Sequence, residues 1–273
     1  DCSFSEQSSF DIYKKIKPFK NLLGFENVKQ KTIERFLGID REDRFSGGQL
    51  IGVYEKYLAS KNQALYDLLM LHNEEDLKGM LAVLPILSYP DFFRMPFTSA
   101  GWEETSVTDA FGNQEPLLCL FYESMVTLLS PLKAESYPFT LEADKNRLCL
   151  KISLFCGEMK RFYPNYRDYY YLIYEDTAVH KSIGEYVERS ARKKATARTC
   201  YTKTEGLFLP QPSPVFPEYV KKDYSDRLTY VPCSRKLLDR LCPSGSADSG
   251  RQPEELPLQY LSSVLKLFGL SCS

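Results

Sequence analysis

His72 and Asp76 stand four residues apart in the run ALYDLLMLHNEEDLKGMLAVL, residues 64–84. The run's length, its leucines and its lack of an internal proline predict one helix. At about 100° per residue, Leu65, Leu69, His72, Asp76, Met80 and Val83 share a narrow stripe, while Asp67, Glu74 and Lys78 fall on the opposite side. An acid and an imidazole are therefore expected to point inward with the leucines. A buried carboxylate left unpaired costs several kcal/mol, so a hydrogen-bonded base or a metal ion has to compensate Asp76. The alternative is a structural ion pair or a satisfied polar pair in the core.

Two stretches concentrate positive charge that phosphates could neutralise. Residues 14–35 hold Lys14, Lys15, Lys17, Lys20, Lys29, Lys31 and Arg35 against Glu26 and Glu34. Residues 189–203 hold Arg189, Arg192, Lys193, Lys194, Arg198 and Lys203 with no acid. For each, a solvated face is the competing reading. His180 reads as a helix-start surface histidine, and the tyrosine run 169–171 as a packed strand in preference to a base-stacking platform.

The elements that must position these groups change character along the chain. Up to about residue 90 the pattern is helical: Asn27 can cap a helix through Ile33 and Phe36 that Gly38 ends, and a second helix follows Ser46-Gly47-Gly48. Residues 91–115, with Pro96, Gly101 and Gly112, are expected to be a linker. Residues 116–232 read as an α+β unit, with a hairpin at Asp144-Lys145-Asn146 and a helix that Asp176 caps through Val179 and Ile183. Residues 233–273 are expected to be a flexible tail, Pro/Ser/Gly-rich over 242–257, ending in a short amphipathic helix.

Hydrophobic content of 43% and charged content of 26% over 273 residues are those of a globular chain, and the net charge of −1 selects no partner. No apolar run is long enough to span a bilayer. Eight scattered cysteines without a CxxC pair, some inside apolar runs, are expected to be free thiols in a reducing cytoplasm. That scatter, with only His72 and His180 available, argues against a structural zinc site.

The segment IYKKIKPFKNLLGFENVKQKTIERFLGIDREDRFSGGQLIGVYEKYL, followed by His-Asn-Glu-Glu-Asp at 72–76, resembles the YprB-type ribonuclease H-like family of the DEDD nuclease superfamily over about residues 10–88. The shared order is a basic segment, a Thr-Ile-Glu helix, a Leu-Gly-Ile-x-Arg-x-Asp turn, a glycine-containing loop and a helix with His-Asn-x-x-Asp. The resemblance implies a metal-dependent 3′–5′ exonuclease acting on DNA or RNA, single-stranded by expectation. It makes Asp76 a ligand of Mg2+ or Mn2+, His72 the group that positions or deprotonates water, and Lys14, Lys17, Lys20, Lys29, Lys31 and Arg35 the phosphate contacts.

One departure from that family bears on activity. Such nucleases use four carboxylates to hold two divalent ions ~4 Å apart, but the 273 residues contain neither an Asp-x-Glu-Thr strand nor an Asn-Gly-x-x-Phe-Asp segment. The expectation is a sequence that begins after both. The fold expected is thus α+β, the helical remainder of a ribonuclease H-like domain (1–90) followed by a β-rich accessory domain, and inactive as it stands. A non-catalytic nucleic-acid-binding or protein-interaction module is the alternative.

Overall fold

A computed structural model describes residues 10–108, 111–242 and 255–270. The first 94 residues are helical as far as they are described: α1 Ile12–Ile16, α2 Gln30–Phe36, α3 Gly47–Ser60, α4 Gln63–Ala82 and α5 Ser88–Arg94. Local chemistry sets their ends. The Asp11 side chain accepts from Lys14 N, Ser46 and Gln49 form a reciprocal capping box, and Asn62 caps α4 through Ala64 N. Lys61, in the left-handed region, turns α3 back against α4, where the Tyr57 and Tyr66 rings meet at 5.6 Å.

A five-stranded antiparallel sheet follows, built from β1 Thr98–Thr108, β2 Gln114–Glu123, β3 Leu132–Ser136, β4 Phe139–Asp144 and β5 Arg147–Ser153, in the order β1-β2-β5-β4-β3. Asp144 pairs with Arg147 across the hairpin expected at 144–146, and Lys145 takes the positive φ of that turn. Two smaller sheets complete the β-rich region. One is β11-β10-β6, made of β6 Phe155–Phe162, β10 Tyr201–Gln211 and β11 Thr229–Pro232. The other is β8-β7-β9, made of β7 Tyr169–Leu172, β8 Thr177–His180 and β9 Arg192–Lys194. The remaining helices are α6 Lys181–Gly184, α7 Arg235–Leu241 and α8 Glu255–Leu265.

The molecule is α+β. Leu118, Leu120, Leu141, Leu148, Leu150 and Ile152 of the large sheet share one core with Ile16, Ile86, Tyr89 and Phe93 of the helical segment and with Tyr260 and Val264 of α8. Aromatic rings carry the packing from helices to sheet: Phe36 meets Tyr89 at 5.7 Å, and Phe97 meets Tyr122 at 6.4 Å.

Three sequence expectations change here. Residues 91–115 are not a bare linker, because α5 buries Phe92 and Phe93 and β1 pairs along β2. Asp176 caps no helix: it has positive φ in the β7–β8 turn, and Thr177–His180 is a strand because β7 offers it a hydrogen-bonding partner. The described part of 233–273 is no loose tail, since Leu238, Leu241, Tyr260, Leu261 and Val264 are buried. Residues 243–254, within the stretch expected to be mobile, lie outside the described residues.

Candidate functional site

The helix that carries His72 and Asp76 packs by the stripe that holds them, with Leu65, Leu69, His72 and Asp76 half-buried and Val83 buried beyond its end. Gly79 is the buried residue of α4, and it lies against α2: a Cβ there would meet Glu34 Oε1 at 2.1 Å and Gln30 Nε2 at 2.3 Å. Gln30 Nε2 donates to the backbone carbonyl of Asp76 (3.0 Å) and to Glu34 Oε1 (2.9 Å), so α2 is bonded to α4 where the pair sits. After α2, Gly38 at positive φ reverses the chain. The following irregular segment then lays Arg41 and Asp43 along the same stripe of α4.

Arg41 gathers the carboxylates. Its Nη2 donates to Asp76 Oδ1 (2.5 Å), Nη1 to Glu34 Oε2 (3.0 Å) and Nε to Glu75 Oε2 (3.3 Å). Burial works against its charge, but Asp76, Glu34 and Glu75 outweigh it and hold the guanidinium above its ordinary pKa. Glu75 also accepts from the backbone N–H of Glu42 (2.8 Å) and of Asp43 (3.0 Å), which latches the segment onto α4. Burial would raise the Glu75 pKa, and these bonds with Arg41 lower it instead.

Asp43 gathers the rest. Its side chain is 0% exposed, and Oδ2 lies 2.5 Å from His72 Nδ1 and 2.9 Å from Lys31 Nζ. Oδ1 accepts from Phe45 N (2.8 Å). Burial pushes the Asp43 pKa up, yet His72, Lys31 and Phe45 N bring it down to about 2. His72 Nε2 faces Asp76 Oδ2 at 3.3 Å.

The stripe expected to point inward does so, with Leu65, Leu69 and His72 half-buried and Val83 buried, but it does not enclose Asp76. His72 and Asp76 are close, but the Asp76 side chain is 44% exposed, and the enclosed acids are Asp43 and Glu34. A second apolar side of α4 stays open: Tyr66, Met70, Leu77, Met80 and Leu81 are exposed, as is Leu84 just after the helix. On the neighbouring helix α3, so are Ile51, Tyr54 and Leu58.

The lysines foreseen as phosphate contacts divide. Lys14, Lys17, Lys29 and Arg35 are exposed, with Lys14 3.6 Å from Asp11 and Lys17 5.8 Å from the Tyr13 ring. Lys20 is half-buried. Lys31 is committed to Asp43 and to the carbonyl of Phe45. In the second cluster, Lys193 lies over the Tyr171 ring and Arg192 over Tyr170. His180 starts α6, its Nδ1 accepting from Ser182 N.

Sequence reasoning singled out neither Arg41, Asp43, Glu34 nor Glu75 for a role. The available signal was the Leu-Gly-Ile-x-Arg-x-Asp turn and the Thr-Ile-Glu helix noted above, which contain Arg41, Asp43 and Glu34. Nor do the carboxylates fit a metal ion as they stand. Each is turned onto Arg41, Lys31, His72 or a backbone N–H, and among the described residues no group of three or more His, Cys, Asp or Glu is arranged to hold one.

Residues 1–87 match the RNase_H_2 family model of the RNase_H superfamily. No curated protein and no solved structure matches the chain. RNase H-like nucleases generally use divalent metals and act on nucleic acid. No described helix is long and apolar enough to cross a membrane. The match takes in α1 to α4 and the whole Arg41–Asp43–His72–Asp76 constellation, so what the chain contains is an N-terminal segment similar to the RNase H superfamily, followed by a β-rich region.

Proposed function

We propose that residues 10–87 are the helical part of an RNase H-like 3′–5′ exonuclease domain, with His72 and Asp76 as its contribution to the reaction centre. The observation that carries this reading is the 3.3 Å approach of His72 Nε2 to Asp76 Oδ2 inside the segment that matches the superfamily. In an assembled domain Asp76 would be a ligand of Mg2+ or Mn2+. Two-metal hydrolysis uses carboxylates on both ions, and the described residues offer no such set. The chain on its own is accordingly proposed to bind nucleic acid, single strands by preference, without cleaving it. A second reading, a binding module with no catalytic history, draws support from Arg41, which occupies Asp76 Oδ1.

Incubating the purified chain with end-labelled single-stranded DNA and RNA in Mg2+ or Mn2+ tests this. The expected result is retardation of both strands with no degradation above an Asp76→Asn control. Degradation that Asp76→Asn abolishes would overturn the inactivity. Absence of binding at low salt would overturn the assignment to nucleic acid.

A further inference from the structure

We infer that Asp43 is the positioning residue of His72: it determines which ring nitrogen carries a proton and which one is turned to Asp76. Asp43 Oδ2 is 2.5 Å from His72 Nδ1, inside the distance of about 2.7–2.9 Å usual for a charge-assisted N–H···O bond. The other neighbours of this carboxylate are donors, Lys31 Nζ on Oδ2 at 2.9 Å and Phe45 N on Oδ1 at 2.8 Å. A carboxylate ringed by donors accepts from all of them, so the proton of the short bond belongs to Nδ1. The reverse arrangement would press the Nδ1 lone pair against an oxygen of a carboxylate that is itself shut off from water.

Nε2 is then the nitrogen presented to Asp76 Oδ2, 3.3 Å away. That carboxylate is half in water and bonded to Arg41, so it opposes a bare Nε2 far less than the enclosed Asp43 would oppose a bare Nδ1. The bond at one ring nitrogen setting the state of the other is the general means by which proteins fix a histidine for proton transfer or water positioning. Asp43 is held in turn by the helix it serves, since its backbone N–H donates to Glu75 Oε2 at 3.0 Å, one residue before Asp76. Naming Nε2 as the working nitrogen rests on the nuclease reading above. The tautomer itself does not.

Proton–nitrogen correlation spectra of the His72 ring in the whole chain test the inference. His180 is the other histidine, and a His180→Gln background leaves His72 as the sole signal. The expected spectrum has Nδ1 protonated at neutral pH. Lys31→Ala, which removes the second donor on Oδ2 but leaves Asp43, should keep that pattern. Asp43→Ala should lose the preference for Nδ1. A wild-type ring with bare Nδ1, or a folded Asp43→Ala protein with the wild-type pattern, overturns the proposal. Should Asp43→Ala not fold, the wild-type and Lys31→Ala spectra still decide. Because no cleavage is read, failure here leaves the nuclease reading to its own assay.

Discussion

Arg41 Nη2 lies 2.5 Å from Asp76 Oδ1, and the same guanidinium reaches Glu34 on α2 and Glu75 on α4. One cation from an irregular segment is thereby shared by three carboxylates on two helices. The Glu34 side chain is only 2% exposed, so its charge has little water to fall back on.

Removing that cation should be costly. Arg41→Met is expected to destabilise the fold by about 3–5 kcal/mol, the range for leaving a buried charge without its partner. Most of this is assigned to Glu34, because Asp76 is half in water and screened. Urea unfolding checks it: Glu34→Gln combined with Arg41→Met should recover part of the loss, whereas Asp76→Asn should recover little.

Gly79→Ala sets two effects against each other. Alanine is favoured over glycine in a helix interior by about 1 kcal/mol. Here the added methyl would fall 2.1 Å from Glu34 Oε1, which accepts from Gln30 in a carboxylate whose Oε2 is held by Arg41. The clash should win, with a net loss of about 1–3 kcal/mol, the usual cost of overpacking. A rise in the denaturant midpoint would show that α2 and α4 do not approach this closely.

Asp43 gives the fold an acid limit. Its pKa of about 2 lies below the ordinary 3.8, so its share of stability is complete above about pH 4 and disappears as pH falls from 4 towards 2. The shift corresponds to about 2 kcal/mol. Unfolding curves at pH 5 and pH 2.5 should differ by less in Asp43→Asn than in the wild type, after both have lost whatever other groups contribute.

Exposed leucines of α4 should tolerate polar replacement. Leu77→Ser and Leu81→Ser are expected to change unfolding free energy by no more than about 0.5 kcal/mol. Ile86→Ala, at a fully buried position, should cost about 2–5 kcal/mol. A large loss for Leu81→Ser would mean that this face is covered in solution.

Binding of single strands should weaken with salt, log affinity falling against log salt with a slope near −0.7 per phosphate contact. Replacing Lys14, Lys17 and Lys20 with Ala should flatten that slope, as should replacing Lys193 and Lys194. Lys31→Ala should instead leave the slope unchanged and lower stability, because Lys31 already neutralises Asp43.

The amino-acid order by itself determined the elements that depend on near neighbours. Helices α2, α3 and α4 were legible from glycines and apolar spacing, although Lys29 and not Asn27 precedes α2 and α1 was not foreseen, and the 144–146 hairpin was legible from its turn residues. The closeness of His72 and Asp76 followed from a spacing of four on one helix. What faces that pair was decided only by tertiary structure, because Arg41 and Asp43 lie 35 and 29 residues away from the groups they hold. The side by which α4 packs was legible too, since Leu65, Leu69, His72, Asp76 and Val83 are turned inward as the periodicity says; what it could not say is that Gly79 admits α2 and that Met80, at the edge of the stripe, stays exposed. Thr177–His180 followed the same rule, since a strand exists only with a partner and β7 supplied it. So did α8, whose apolar face became core because the large sheet and the N-terminal helices left it a place to bury.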